Sequence, residues 1–325
     1  MAKLSASFRG GAFFLAGFFL SLGARAADCG SGDPKEIHVL SSESFVGKGS
    51  VFEALQGEWA KVCAACKLVA VTPKGSSDLV GRLRSEKRRG CKSRIEIVLG
   101  LDSTALAVAR AEGLVSDERV FDRGTFAFIA DTKRFPKAQW PKSWKEVDAK
   151  LKGKALVQDP RLSSPGMGWL RAIYEMKALP EAAAKTLPLR VFPSWSSAYE
   201  AFMGGQGAVV WSYVTSESYH RCEEKTPADR ERYLAIPLEE GYPQVEEWIA
   251  LTGVAKGRGK ARELVELMMG PTIQAKIATT NWMMPASTAA KLPDCMKATT
   301  SIKAWSPSKP ATPNEVKAWI DRWSL

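Results

Sequence analysis

The segment IHVLSSESFVGKGSVFEALQGEWAKVCAACKLVAV, residues 37–71, decides the fold because it places one helix pattern between two short apolar strands. Residues 37–40 and 68–71 are compact apolar runs of the kind that form buried strands. Between them, residues 51–62 repeat apolar side chains at helical spacing. Strands that alternate with helices predict a mainly parallel sheet with helices on both faces.

The same alternation continues along the chain. Residues 77–85 have a helix pattern, residues 95–99 form a third apolar strand, and a second α/β block covers residues 131–247. The apolar runs 125–129 and 248–251 are candidates for two crossings between two lobes. In parallel sheets, ligands bind beyond the carboxyl ends of the strands. That rule directs attention to residues 41–45, 72–77 and 101–103.

The N-terminus has the three parts of a cleavable export signal. Lys3 and Arg9 are basic, residues 10–22 are apolar, and Ala24-Arg25-Ala26 is a small-x-small cleavage signature. The apolar run of about 13 residues is too short to cross a bilayer about 30 Å thick. We expect removal of residues 1–26 and a soluble periplasmic protein.

The formal net charge of +11 raises the question of nucleic-acid or membrane binding. The signal segment itself carries three of the positive charges, on Lys3, Arg9 and Arg25. Elsewhere the basic residues are scattered, and the densest run, residues 87–89, has no interleaved aromatic side chains. This pattern predicts a solvated basic surface and no nucleic-acid partner.

Six cysteines remain after cleavage, and an even number in an oxidising compartment predicts disulfide bonds, with 15 possible full connectivities. They are Cys29, Cys63, Cys66, Cys91, Cys222 and Cys295. The Cys63-Ala-Ala-Cys66 pair ends a helix pattern, whereas a thioredoxin-like pair begins one. A structural disulfide is therefore favoured, with a periplasmic thiol oxidoreductase using Cys63 and Cys66 as the alternative.

The stretch DPRLSSPG, residues 159–166, follows the apolar strand 155–158 and precedes a helix pattern over residues 165–177. Ser164 is placed as the N-cap and Pro165 at the first helical position. Exposed backbone N–H groups and two hydroxyls at a helix start favour an anion site. An ordinary capped helix start explains the same pattern.

Four aromatic residues, Trp195, Tyr213, Tyr219 and Trp282, fall near predicted strand ends. Aromatic faces in a cleft stack on flat cationic rings and contribute about 0.5–2 kcal/mol each. Core packing is the alternative role for any one of them.

Signatures of catalysis are poor. His38 and His220 are the only histidines, so no cluster with metal-ligand spacing exists. The chain has no nucleophile elbow, no Walker loop and no dinucleotide fingerprint. Nothing in the sequence brings two of Asp102, Asp122 and Asp159 together. We therefore expect a binding protein without a cofactor rather than an enzyme.

Several motifs, taken together, resemble the periplasmic thiamine-binding proteins, the substrate-binding components of thiamine ABC transporters. They keep their order and approximate spacing from about residue 37 to the end of the chain. They are VLGLD (98–102), VQDPRLSSPGMG (157–168), WSSAY (195–199), SYVTS (212–216) with Tyr219 and His220, and TNWMMP (280–285).

The resemblance implies an α/β fold of the type 2 periplasmic-binding-protein class: a two-lobed clamshell, each lobe a mainly parallel sheet flanked by helices. Lobe 1 would comprise residues 27–126 and 249–305, and lobe 2 residues 127–248. Residues 306–325 would form a C-terminal helix packed on lobe 2. The resemblance also implies a monomer that delivers its ligand to an inner-membrane ABC permease.

The resemblance also implies the ligand contacts. Ser163 and Ser164 would hold the phosphate or hydroxyethyl end of thiamine, thiamine monophosphate or thiamine diphosphate. Tyr219 and Trp282 would stack on its rings. The remaining implied contacts are Glu43, Gly75, Ser76, Trp195, Tyr213, Val214, Thr215, Ser216 and Glu217.

Two departures from the family pattern bear on the ligand. Ser42-Glu43-Ser44-Phe45 stands where the family has Tyr-Asp-Ser-Phe, and Lys74 stands near a family Asp. One stacking partner and one carboxylate are lost, although Glu43 restores negative charge. We expect phosphorylated thiamine to be preferred over the free vitamin. A binder of another small anionic or phosphorylated solute, or a sensor that feeds no transporter, remains open.

Overall fold

The computed structural model describes residues 35–47, 49–73, 79–89, 93–255, 259–309 and 311–324 of the chain. The strands are β1 (Glu36–Leu40), β2 (Lys67–Val71), β3 (Ile95–Asp102), β4 (Val115–Asp131), β5 (Ala155–Gln158), β6 (Pro188–Phe192), β7 (Val209–Tyr213), β8 (Tyr233–Ala235), β9 (Tyr242–Thr252), β10 (Met284–Pro285) and β11 (Ala304–Trp305).

The helices are α1 (Glu43–Val46), α2 (Val51–Val62), α3 (Leu79–Arg89), α4 (Ser103–Ala111), α5 (Trp144–Leu151), α6 (Ser164–Leu170), α7 (Ala183–Thr186), α8 (Trp195–Met203), α9 (Thr215–Glu223), α10 (Pro227–Arg230), α11 (Gly259–Met269), α12 (Pro271–Lys276) and α13 (Pro313–Ser324). Short 3₁₀ or π-helical turns occupy Lys137–Gln139, Arg171–Glu175, Gly253–Ala255, Ile277–Asn281 and Asp294–Ser301.

The strands form a mixed sheet with the order β2-β1-β3-β9-β4-β7-β5-β6. In the first lobe, β1 pairs in parallel with β2 and β3, and in the second lobe β5 pairs in parallel with β6 and β7. The strands β9 and β4 lie between these parallel groups and run antiparallel to their neighbours. The predicted two-lobed α/β fold is confirmed.

The long strand β4 belongs to both lobes. Its residues 115–125 pair with β9, and its residues 126–131 pair with β7 and β8. The apolar run 125–129, proposed from sequence as a crossing, lies where β4 passes from one set of partners to the other. Two sheets that share a strand in this way leave a cleft where their edges meet.

An aromatic cluster fills the second lobe. Phe128 and Trp211 are fully buried, with ring centroids 4.9 Å apart. Trp169 and Tyr242 pack edge-on against Phe128, at 5.9 and 6.2 Å. Such pairs contribute about 0.5–1.5 kcal/mol each beyond the burial of apolar area. The cluster holds β7 in place, and the carboxyl end of β7 carries Ser212 and Tyr213.

The helix after β5 starts one residue earlier than predicted. Ser163, rather than Ser164, is the N-cap: its backbone is extended, and its carbonyl accepts the first helical hydrogen bond from Met167 N at 2.9 Å. Ser164 and Pro165 are therefore the first two residues of α6. By contrast, α2 and β5 have the predicted bounds.

Two disulfides join Cys63 to Cys66 and Cys222 to Cys295. Cys63 caps the carboxyl end of α2, whereas reactive thiolates favour helix N-termini. This position agrees with a structural role for the Cys63–Cys66 bond. Cys29 and Cys91 lie outside the described residues.

Within the ranges that the structure describes, no helix has both the length and the apolar character needed to cross a bilayer.

Candidate ligand-binding cleft

Three elements of the second lobe meet at the carboxyl end of β7. The indole Nε1 of Trp195, at the start of α8, donates a 2.7 Å hydrogen bond to Ser212 Oγ. Ser212 Oγ lies 2.8 Å from the hydroxyl of Ser216 in α9. This chain of contacts fixes the Trp195 ring beside β7 and brings together two predicted site residues that are 21 positions apart.

A capping box positions Trp195. Ser194 Oγ accepts a hydrogen bond from Ser197 N at 3.1 Å, and Ser194 N donates to Ser197 Oγ at 3.3 Å, which satisfies the first turn of α8. Trp195 then stacks on Tyr199, with ring centroids 5.0 Å apart. The Tyr199 hydroxyl lies 2.8 Å from His220 Nε2, so the aromatic stack is anchored to α9.

His220 serves this anchor rather than a metal. The ring is fully buried, and its Nδ1 lies 3.3 Å from Glu224 Oε1. Burial lowers the pKa of His220, which favours the neutral ring that the Tyr199 contact needs. In the described part of the chain, no group of three or more His, Cys, Asp or Glu side chains is arranged to hold a metal ion.

Tyr219 and Trp282 form an edge-to-face pair across the cleft, with ring centroids 5.3 Å apart. Tyr219 is in α9, and 41% of it is exposed. Trp282 follows the turn Ile277–Asn281 and has a left-handed backbone, with φ 53°. A non-glycine residue in that region is uncommon and marks either a turn or a strained functional position.

Tyr213 continues the aromatic lining. Its ring stacks on Phe126 at 5.1 Å and crosses directly over Gly124. A Cβ at position 124 would lie 2.7 Å from the Tyr213 ring and 2.8 Å from Met283 Cε. The absence of a side chain at Gly124 is therefore what lets Tyr213 and Met283 approach β4.

Three carboxylates lie beside Tyr213, in register across three neighbouring strands. Glu247 in β9 pairs with Asp102 in β3 on one side and with Asp122 in β4 on the other. Burial, followed by the charge of Asp102, raises the pKa of Glu247 to about 7. Burial and the charge of Glu247 raise the pKa of Asp122 well above its usual range.

The predicted anion site lies at the start of α6. Ser163 is buried, and its hydroxyl makes no capping bond to the helix, unlike that of Ser194 in α8. The nearest cation, Arg161, forms a bidentate ion pair with Asp159, and that hydrogen-bonded pair lowers the pKa of the Asp159 carboxyl. The loop therefore offers hydroxyls and backbone N–H groups rather than net positive charge.

The remaining predicted residues at the start of α9 are buried. Val214 N donates to Thr125 O at 2.8 Å, which joins the β7–α9 connection to β4. Glu217 accepts hydrogen bonds from Arg221 Nε at 2.6 Å and from Ala235 N at 2.8 Å. Thr215 Oγ1 is buried without a partner among the described residues. Glu217 thus fastens α9 to β8.

Three predicted contacts are not placed. Glu43 begins α1, but its side chain is outside the described part of the chain, as are Gly75 and Ser76. Lys74, expected to change the charge of the site, also lies outside it.

The sequence did not predict that Ser212 or the three carboxylates Asp102, Asp122 and Glu247 would lie at the candidate site. Asp102 lies at a strand end that the carboxyl-end rule named. Asp122 and Glu247 each stand just before an apolar run proposed as a crossing. The two apolar runs are parts of β4 and β9, and the pairing of these strands places Asp122 opposite Glu247.

The two-lobed sheet with a cleft lined by aromatic and polar residues defines a periplasmic binding protein. Among solved structures, a periplasmic thiamin-binding protein superposes with a TM-score of 0.75 at 29% identity, covering 89% of this chain and 95% of that one.

Curated relatives specify the family, although no protein-family model matches the chain. The thiamine-binding periplasmic protein of Salmonella typhimurium is 35% identical over 293 residues, covering 79% of this chain and 83% of the relative. That of Brucella abortus is 34% identical over 281 residues, covering 79% and 80% respectively. The chain belongs to the family of periplasmic thiamine-binding proteins.

Proposed function

We propose that the protein captures thiamine or a thiamine phosphate between its two lobes in the periplasm and delivers it to an inner-membrane ABC permease. The observation that carries the proposal is the convergence of Trp195, Tyr213, Tyr219 and Trp282 on one cleft. The names of the relatives support thiamine as the ligand, and their family implies the permease.

The aromatic lining suits the two rings of thiamine. The thiazolium ring carries a permanent positive charge, and aromatic faces attract such a ring by about 0.5–2 kcal/mol each. Tyr219 and Trp282 meet edge to face, so a ring that stacks on one contacts the edge of the other. Trp282 lies just before β10, and β10 pairs with the first-lobe part of β4. Tyr219 belongs to α9 of the second lobe. The two rings therefore come from different lobes.

The phosphate end of the ligand would lie at Ser163 and Ser164. The uncapped start of α6 supplies backbone N–H groups for an anion, and the Ser163 hydroxyl makes no capping bond to that helix. Ser216 and the polar edge of Trp195 would complete this end of the site. On this arrangement we expect the phosphorylated forms to bind more tightly than free thiamine.

We further infer that the protein acts by binding rather than catalysis, as a monomer, after removal of residues 1–26. The relatives are binding proteins, and the Cys63–Cys66 disulfide at a helix end supports a structural role. Intact mass of the protein recovered from the periplasm tests cleavage after Ala26, and sedimentation tests the monomer.

Calorimetric titration with thiamine, its monophosphate and its diphosphate tests the ligand and its preferred form. We expect all three to bind, with the phosphates bound more tightly. Trp282→Ala should weaken thiamine binding by about 2- to 30-fold, the equivalent of one lost cation–π contact. Trp140→Ala is the matched control and should bind like the wild type, because Trp140 lies beyond the carboxyl end of β4 and donates a 2.8 Å hydrogen bond to Phe135 O.

The outcomes separate two claims. Equal or reversed affinities would refute the preference for phosphate while leaving thiamine as the ligand. Absence of binding for all three forms would refute the proposed function.

A further inference from the structure

We propose that Asp102, Glu247 and Asp122 form a counter-charge subsite that accepts the cationic ring of the ligand in exchange for a proton. The inference rests on the proposed function and assigns the end of the cleft opposite the phosphate. These three side chains are called the carboxylate row.

Three neighbouring carboxylates repel one another unless a cation binds beside them. Asp102 and Glu247 are cross-strand partners, and so are Glu247 and Asp122. Like charges directly opposite each other destabilise a sheet. Among the described residues, no Lys or Arg side chain forms an ion pair with any of the three. Arg123, which follows Asp122 in β4, instead pairs with Glu246 at 3.1 Å.

Asp122 supplies an independent sign of a missing partner. The residue is only 1% exposed, and its Oδ1 has no hydrogen-bond partner among the described residues. Its Oδ2 has only a long contact, 3.4 Å, from Asn281 Nδ2. A buried carboxylate oxygen without a partner costs several kcal/mol. A positive ligand group would remove most of that cost.

The row lies among the aromatic residues of the cleft. Asn281, which contacts Asp122, immediately precedes Trp282. The Tyr213 ring lies over Gly124, which is two residues from Asp122 and on the same face of β4. Burial, and then the charges of Glu247, Asp122 and Asp102, raise the pKa of Tyr213. The cleft therefore combines aromatic faces with concentrated negative charge. That combination selects a flat organic cation rather than a neutral ring.

The cation and a proton compete for the same charge. Asp102 Oδ1 accepts hydrogen bonds from Thr104 N and Ala105 N at 2.9 and 2.8 Å, so this carboxylate also caps α4. Glu247, with its pKa at about 7, carries a proton part of the time at neutral pH. Asn281 Nδ2 contacts Asp122, and the Tyr213 ring lies over Gly124 beside the row. Of the described cations, only Arg123 acts on the pKa of Asp122, and it opposes the larger effects of burial and of Glu247. When the ligand cation enters, the proton leaves Glu247 for solvent.

Two probe molecules that differ in charge measure how much the positive charge of the ligand contributes to binding. The cation 3,4-dimethyl-5-(2-hydroxyethyl)thiazolium differs from neutral 4-methyl-5-(2-hydroxyethyl)thiazole by one methyl group on nitrogen. Affinity for thiamine and for the cation should rise about tenfold from pH 6 to pH 8, because the row loses its proton over that range. Affinity for the neutral thiazole should not change. Titrations in two buffers of different ionisation enthalpy at pH 7 should show proton release with the two cations alone.

Variants locate the exchange in the row. Glu247→Gln should weaken binding of the cation about tenfold or more at pH 8 and abolish the pH dependence, while leaving the neutral thiazole unaffected. Glu263→Gln is the control and should keep the wild-type pH profile, because Glu263 is an exposed carboxylate of α11 whose ion pair is with Lys260. Proton release by the wild type needs no variant, so a Glu247→Gln protein that fails to fold still leaves a decisive measurement.

Each outcome bears on a different claim. If thiamine binds with the same affinity from pH 6 to pH 8 and without proton release, the carboxylate row is not the counter-charge subsite, and the proposed function stands. If thiamine does not bind the wild type at any of these pH values, the proposed function fails and the subsite with it.

Discussion

At the scale of single residues, Gly124 determines where Tyr213 lies. The Tyr213 ring covers position 124 closely enough that a Cβ there would come within 2.8 Å of two side chains, Tyr213 and Met283. Phe126 holds the other face of the Tyr213 ring at 5.1 Å. Any side chain at position 124 must therefore displace Tyr213 into the cleft or move β4.

Gly124→Ala should weaken thiamine binding and lower the free energy of unfolding by about 1–3 kcal/mol, the usual cost of overpacking a well-filled site. Gly57→Ala is the matched control, because position 57 in α2 is exposed and has no neighbour within 4 Å. That variant should raise stability by about 0.5–1 kcal/mol and leave binding unchanged. Urea denaturation and calorimetry measure both effects. Wild-type affinity and stability in Gly124→Ala would contradict this role for Gly124.

The sequence predicted the aromatic part of the candidate site better than the charged part. Trp195 and Tyr213 lie near strand and helix ends, where the alternation of elements places a cleft. Glu217, a predicted ligand contact, accepts hydrogen bonds from Arg221 and from the backbone of β8. Asp122 and Glu247 are 125 positions apart and meet only through strand pairing. Local periodicity carries no information about which distant strands pair.

At the scale of elements, α9 is tied to the turn Asp294–Ser301 by a disulfide and by a hydrogen bond. It carries Ser216 and Tyr219, and its far end is joined to the turn Asp294–Ser301 by the Cys222–Cys295 disulfide. Ser218 Oγ also lies 2.8 Å from Thr299 Oγ1 in that turn. The disulfide spans 73 positions of sequence and the Ser218–Thr299 contact spans 81, and both fix α9 against that turn.

Replacing Cys222 and Cys295 by serine should lower the free energy of unfolding by about 2–4 kcal/mol, because the bond closes a long loop. Thiamine binding should weaken as well, since α9 loses a fixed position for Tyr219. The double variant Cys63→Ser, Cys66→Ser opens a loop of three positions at a helix end and should change both quantities much less. Equal losses of stability in the two double variants would contradict this role for the Cys222–Cys295 bond.

Elements with strong local patterns were predicted with the right bounds. The helix α2 and the strand β5 are examples, because an apolar helical face and a four-residue buried strand are complete signals in themselves. The strand β4 was not predicted at its full length of 17 residues. Its first part, with charged residues such as Asp117, Glu118 and Arg119, has no clear alternation. Pairing with β9 makes it a strand.

At the scale of the whole molecule, the strand β4 is shared by both lobes. The strand β9 lies between β3 and β4, and the carboxylate row crosses these three strands. Ligand binding shifts an open–closed equilibrium only to the extent that the closed form binds more tightly. Trp282 and the carboxylate row on one side, with Tyr219, Trp195 and Ser163 on the other, would supply that difference. A ligand that spans the cleft has its cationic ring at one end and its phosphate at the other.

The most direct test of this account is the mass of the small molecule released when protein purified from the periplasm is denatured. We expect the mass of thiamine, thiamine monophosphate or thiamine diphosphate, at up to one molecule per chain, and a smaller amount of it from a Trp282→Ala preparation. Release of a different solute, such as a sugar phosphate, would contradict the account. So would protein recovered empty that fails to take up added thiamine.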